Sequence, residues 1–207
     1  MPRCPEPRAP RSVWVRIVAA VLALGTASTA AAHPDITMEC RVLFNFEDGK
    51  VTGIGETWTF DEAFSAQLIA DYDEDHDGLF DAAESGAMER EVFGNLSEIH
   101  YYTFLSINGR EQTDLKPFGF RATKEGEIVT FAFGIRLPEP LDPALYPVTL
   151  ELKDPEFAVY AVLTGDEPAL LRGDTQKRCR AAIRDDRENP YFDGTVIPQE
   201  IRLVCGQ

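Results

Sequence analysis

The chain holds little of what most active sites use. Histidine occurs three times, cysteine four times, methionine three times and tryptophan twice in 207 residues. No C-x-x-C pair is present, which excludes thioredoxin-like redox chemistry and zinc ribbons. G-x-S-x-G, H-E-x-x-H and a phosphate-cradling glycine loop are all missing. No catalytic constellation is left, so the sequence reads as that of a non-enzyme. Positive charge is also scarce. Lysine and arginine number 20 against 35 aspartates and glutamates, a net charge of −15. Such a chain repels nucleic acid and anionic lipid and attracts cations. Internal repeats and low-complexity segments are absent. A composition of 44 % hydrophobic and 27 % charged residues excludes a disordered tail, a collagen-like repeat and a disulfide-dense toxin.

The first 32 residues differ from the rest. Arg3, Arg8, Arg11 and Arg16 stand against a single Glu6, an apolar run follows from Ile17 to about Leu24, and small residues end at Ala30-Ala31-Ala32. A basic front, a short apolar centre and an A-x-A site describe a secretory signal peptide over 1–32. The apolar run falls short of the roughly 20 residues a membrane span needs. Adjacent arginines are missing, which argues against the twin-arginine route. A secreted, periplasmic chain starting at His33 is the expectation, with no transmembrane segment in the mature part. It carries 16 basic and 34 acidic residues, a net charge of −18.

Secreted cysteines tend to pair. Of Cys40, Cys179 and Cys205, the last two bracket the final segment, so a Cys179–Cys205 bridge pinning the C-terminus is expected, with Cys40 a buried free thiol.

Most of residues 33–207 reads as strands in a single domain. Ile36–Phe46 alternates apolar and polar residues, Glu47-Asp48-Gly49-Lys50 supplies a turn, and Val51–Phe60 alternates again. Tyr101–Ile107, Phe118–Thr123, Ile128–Leu137, Val148–Leu152, Phe157–Leu163 and Glu200–Cys205 follow the same rule. Pro138–Pro147 reads as a proline-rich connection and Gly165–Lys177 as a polar loop. Between Phe60 and Leu96 the apolar spacing turns helical, at Phe64, Leu68 and Ile69 and again at Met88, Val92, Phe93 and Leu96. Thr59 and Glu62 form a capping-box pattern before the first helix. The expected class is therefore α+β: antiparallel, sandwich-like sheets with an inserted helix–calcium loop–helix unit of EF-hand type at about 60–97.

The loop between those helices carries the chemistry. Asp73-Glu74-Asp75-His76-Asp77-Gly78-Leu79-Phe80-Asp81-Ala82-Ala83-Glu84 matches the calcium-loop pattern D-x-D-x-D-G-x5-E. Asp73, Asp75 and Asp77 supply carboxylate oxygens, Gly78 permits the sharp bend, and the Leu79 carbonyl is the next ligand. Asp81 acts through a water and can cap the second helix, Glu84 closes the shell with both oxygens, and Phe80 anchors the loop in the core. Only a start at Asp73 fits, because starts at Asp71 or Asp75 put His76 or Phe80 where glycine is required. Calcium is the expected cofactor, and one solitary loop favours a structural clamp over a switch. A histidine at the mature N-terminus offers its amine and ring nitrogen to a transition metal such as zinc, nickel or copper, with Asp35 adding a carboxylate. His76 should face water, and His100 should open a strand.

Trp58-Thr59-Phe60-Asp61-Glu62-Ala63-Phe64, the loop after it, Asn95-Leu96, Tyr102-Thr103-Phe104, Pro140-Leu141-Asp142-Pro143, Asp154-Pro155 and the late cysteine pair together resemble a bacterial periplasmic family of unknown function, number 1007. Its members are also described as the periplasmic component of an uncharacterised ABC-type transport system. The resemblance implies an accessory role in nickel, cobalt or zinc transport, with a membrane metal transporter as partner. It brings no catalytic residues. The family's mature start commonly reads H-P-H, whereas here it is His33-Pro34-Asp35. The alternative is a calcium-stabilised protein-interaction module without a transition-metal role.

Overall fold

Alternation and an aspartate-glycine turn make the first hairpin. β1 (Ile36–Glu47) and β2 (Lys50–Phe60) pair antiparallel, and the turn places Asp48 and Gly49 at φ 51° and 75°, the left-handed pair that suits the twist of a two-residue hairpin. The computed structural model describes residues 34–174 and 178–206; the expected signal segment and His33 lie outside the described residues. The other strands are β3 (Thr103–Ile107), β4 (Arg110–Glu111), β5 (Pro117–Glu125), β6 (Ile128–Leu141), β7 (Val148–Leu152), β8 (Val159–Leu163), β9 (Ala169–Arg172), β10 (Cys179–Asp185) and β11 (Gln199–Cys205). Helices α1 (Glu62–Tyr72) and α2 (Ala82–Glu91) and a 3-10 segment (Phe93–Tyr102) interrupt them.

The larger sheet runs β5-β6-β2-β1-β8, with β9 also on β1, and the smaller runs β10-β11-β7-β3-β4. Inward residues of both, among them Phe44, Trp58, Phe131, Leu105, Leu150 and Ile201, join one buried cluster. This burial accounts for the apolar alternation of β1, β2 and β6, which buried Glu56 of β2 interrupts. Sequence separation hides two features. β8 and β9 lie parallel to β1, not antiparallel, and β9 crosses the segment read as a polar loop.

The α+β class, with its inserted EF-hand-type unit, is overturned. Strands hold 49 % of the described residues and helices 18 %, so the protein is mostly β. The helices are not a unit of their own. Leu68, Met88 and Phe93 enter the same core as the strands, α1 packs chiefly on β6, and α2 chiefly on β5 and the 3-10 segment. Two serines stitch them to the larger sheet. Ser65 Oγ accepts from Val129 N–H at 3.0 Å, and Ser85 Oγ accepts from Ala122 N–H at 3.0 Å. Helical periodicity revealed the apolar face but not what it would meet. Ser65 is fully buried, so Ser65→Ala would strand the Val129 N–H. A loss of about 1–2 kcal/mol is expected by chemical denaturation.

Three local readings also change. The cap of α1 is Asp61, whose side chain accepts from Phe64 N–H at 2.9 Å; Thr59 stays in β2 with its hydroxyl 2.9 Å from that of Thr130. α2 ends at Glu91, and the 3-10 segment follows. His100 does not open a strand: His100, Tyr101 and Tyr102 occupy the left-handed region at φ 53°, 53° and 52°, and β3 starts only at Thr103.

Cys179 and Cys205 face each other across β10 and β11 and are disulfide-bonded. Cys40 is a buried free thiol, and burial pushes its pKa up. A disulfide is compatible with an oxidising, extracytoplasmic compartment. Among the described residues no helix is long and apolar enough to cross a membrane.

Candidate metal centre

The acidic loop leaves α1 at its C-terminus and re-enters at the α2 N-terminus. Gly78 takes φ 82°, which side chains rarely adopt. Carboxylates then fold the loop on themselves: Asp75 Oδ1 accepts from Asp77 N–H at 3.1 Å, and Asp77 Oδ1 from Leu79 N–H at 2.7 Å. At the α2 end Asp81 and Glu84 form a reciprocal capping box. Asp81 Oδ1 accepts from the N–H groups of Ala83 and Glu84 at 2.7 and 2.9 Å, and Glu84 Oε2 accepts from Asp81 N–H at 2.9 Å. Glu84 Oε1 reaches back to Glu74 N–H at 2.8 Å, closing the loop.

This folding brings Asp73, Asp75 and Glu84 together, each offering an oxygen within 4.8 Å of the others. Asp73 and Glu84 are buried, at 4 % and 8 % exposure. Asp73 Oδ1 is sealed from solvent without a hydrogen-bond partner among the described residues. A buried acceptor left open is costly, and the loop side chains gathered with it, Asp75 and Glu84, bring more carboxylate oxygen. A hard cation with oxygen ligands fits that donor set. Asp77 and Asp81 are not among these three; Asp77 Oδ1 accepts from Leu79 N–H and Asp81 Oδ1 caps α2. Leu79 projects its side chain into solvent at 63 % exposure, Phe80 packs against the core, and His76 is exposed. Asp35, of the second sequence-derived set, is exposed with its N–H on the Ala158 carbonyl, and its companion His33 is not described.

One participant escaped sequence reasoning. Lys124 of β5 places Nζ 3.9 Å from Asp73 Oδ2 and 4.0 Å from Glu127 Oε1, with its side chain only 11 % exposed. No local spacing links residues 73 and 124; only the packing of the loop against β5 does.

A second acidic trio, Glu151, Asp186 and Glu200, has oxygens as close but is already neutralised. Lys153 Nζ lies on Glu151, Arg184 and Arg202 donate to Glu200 at 2.8 and 3.2 Å, and Asn189 donates to Asp186 at 2.8 Å. Burial raises the Glu151 pKa, while the Asn189 hydrogen bond lowers that of Asp186. This trio is a satisfied polar network.

Fold and loop define a mostly β protein of two sheets carrying an acidic loop between its two α-helices. The family model described as "Protein of unknown function (DUF1007)" matches residues 18–191, and the chain belongs to that family. It is also similar to the "Uncharacterized 15.5 kDa protein in trpE 3'region" of Spirochaeta aurantia, at 27 % identity over 131 residues, covering 63 % of this chain and 93 % of that protein.

Proposed function

We propose that this chain is an extracytoplasmic calcium-binding protein in which one calcium ion, held by the loop Asp73–Glu84, clamps α1 and α2 onto the larger sheet, and that it serves as an accessory in transition-metal transport. The observation that carries the calcium reading is the sealed, unpartnered Asp73 Oδ1 beside Asp75 and Glu84. Remaining ligands come from Asp77, the Leu79 carbonyl and a water on Asp81 as the loop closes on the ion. A site of this kind outside the cytoplasm works at roughly 10⁻⁴–10⁻³ M. Titration calorimetry on chelator-treated protein should give one calcium per chain, and Asp73→Asn should abolish the heat.

Lys124 is the resident counter-charge of that site. Its ammonium offsets one carboxylate in the absence of calcium and opposes the ion when it arrives. Lys124→Met should therefore tighten calcium binding at least fivefold in the same titration. Unchanged or weaker binding would remove Lys124 from the site.

The transport role rests on the family resemblance and on His33 with Asp35. Copper, nickel, cobalt and zinc are titrated into processed protein with calcium saturating the loop, then again with one residue added before His33. Binding lost on extension supports the role. No binding in either form leaves calcium as the ion of this protein and favours an interaction module.

A further inference from the structure

The outer face of the larger sheet, away from the calcium loop, is ordered by strand register. Leu43 pairs with Gly55 and Gly55 with Gly134, with Phe118 and Leu170 at the two ends of the row. On one side of this row Arg136 and Arg172 end the row through Gly53 and Asn45. On the other, Arg121 and Arg41 end the row through Ala132 and Thr57. An apolar row with no side chains at its middle thus lies between two rows that finish in arginine. None of the three rows contains a carboxylate, in a chain whose net charge is −15.

The face is hollow over Gly53 and Gly55, while the Phe118 ring covers Gly134. A cavity of about 550 Å³ lies over Gly53 and Gly55, flanked by Arg136 and Arg172, with Glu47 also on its lining. It adjoins one of about 310 Å³ past Leu43 toward Arg41, and one of about 500 Å³ past Phe118 toward Lys116, which is paired with Asp114 at 3.2 Å. Shared residues join the three into one run. The guanidinium groups are held ready. Arg172 Nε donates to Asn45 Oδ1 at 3.0 Å, and Asn45 Nδ2 donates to Thr52 Oγ1 at 2.8 Å, which leaves the outer fork of Arg172 free. Arg136 lies over the Phe118 ring at 5.1 Å. Among the described residues none of the four arginines forms an ion pair.

We propose that this face is a docking trough for an extended acidic segment of another protein. Arginine forks receive its carboxylates two oxygens at a time, and Phe118, Leu43 and Leu170 receive its apolar side chains. An open run across five strands suits a polypeptide better than a small anion, which binds where it can be enclosed. The strongly negative remainder of the chain turns nucleic acid away.

The probe is a fluorescein-labelled peptide of alternating glutamate and leucine, about eight residues long, enough at ~3.3 Å per residue to span the roughly 19 Å from β5 to β9. Anisotropy is read with calcium-saturated protein. Saturable binding is expected, weakened at least tenfold in the Arg136→Ala/Arg172→Ala double variant and in Gly55→Val, and absent for the lysine-leucine counterpart. Gly55→Val is chosen to fill the trough, since a Cβ there meets Leu43 Cβ at 3.7 Å and nothing closer. Gly53 and Gly134 would instead meet the Ile135 carbonyl at 2.8 Å and the Phe118 ring at 2.7 Å. No saturable binding overturns the proposal. So does binding that survives both variants, or equal binding of phosphatidylglycerol vesicles. A concentration-dependent dimer of the wild type, lost in the double variant, would overturn it too by making a second copy the occupant. Calcium-dependent melting of each variant, read alongside, keeps failure of the trough separate from failure of the calcium site.

Discussion

Calcium at a hundredfold excess over its Kd should stabilise the protein by about 2.7 kcal/mol, a rise in melting temperature of roughly 5–10 °C for a chain of this size. The ion binds the folded loop and finds no comparable site in the unfolded chain. There Asp73, Asp75 and Glu84 are no longer held within 4.8 Å of one another. The comparison is between chelator and calcium at that hundredfold excess, about 10–100 mM for a Kd of roughly 10⁻⁴–10⁻³ M. Glu84→Gln should remove most of the shift, because one oxygen is replaced by an amide. This variant also weakens the bonds from Glu74 and Asp81 N–H, so its melting temperature in chelator falls slightly. The calcium-induced difference, not the absolute value, is the readout. An unchanged melting temperature in the wild type would remove the calcium assignment.

Glu56 should make stability depend on pH in a direction opposite to that of most carboxylates. It stands in β2 at 2 % exposure, between the two sheets. Trp58 Nε1 donates to its Oε2 at 3.0 Å, and Thr103 Oγ1 lies 3.2 Å from Oε1. The Thr103 hydroxyl has one proton, and the Tyr101 carbonyl lies closer to it, at 2.8 Å. A neutral Glu56 supplies the missing proton by donating to Thr103 Oγ1. Burial, only partly offset by the bonds from Trp58 and Thr103, raises its pKa from 4.5 to about 7. The folded state therefore holds a proton that the unfolded state releases between these values. Stability from this group is intact below 4.5, falls as pH rises to about 7, and stays lowered above it. Glu56→Gln keeps both bonds, since the amide accepts from Trp58 and donates to Thr103, and it removes the titration. At pH 8 the variant should be more stable than wild type by as much as about 3 kcal/mol, and at pH 4.5 nearly equal to it. Urea unfolding at the two pH values checks this. A variant less stable at pH 8 would mean that the carboxylate is charged and welcome in the core.

Local structure was legible in the sequence and distant packing was not. The hairpin at Asp48-Gly49 could be read because turn and alternation are neighbours in the chain. The loop could be read because its carboxylates and Gly78 sit at fixed offsets. Class failed because helical spacing at Leu68 and Met88 says only that one face is apolar. That this face closes the strands' own core, stitched by Ser65 and Ser85, depends on residues more than thirty positions away. Lys124 was invisible for the same reason. β9 is short and lies parallel to β1, far from it in sequence, so no turn announced it. His100-Tyr101-Tyr102 contain no glycine to signal a left-handed run, which is why a strand was expected to begin there. The arginine trough needs four strand registers at once, and no single stretch of sequence contains it.

The central claim is that calcium sits in the loop Asp73–Glu84. A crystal structure of the protein grown in millimolar calcium, with anomalous data to identify the ion, tests it most directly. The account expects one calcium with oxygens of Asp73, Asp75 and Glu84 at about 2.3–2.6 Å and the Lys124 ammonium moved away from Asp73. Calcium at Glu151, Asp186 and Glu200, or Lys124 still on Asp73 with no ion in the loop, would contradict it.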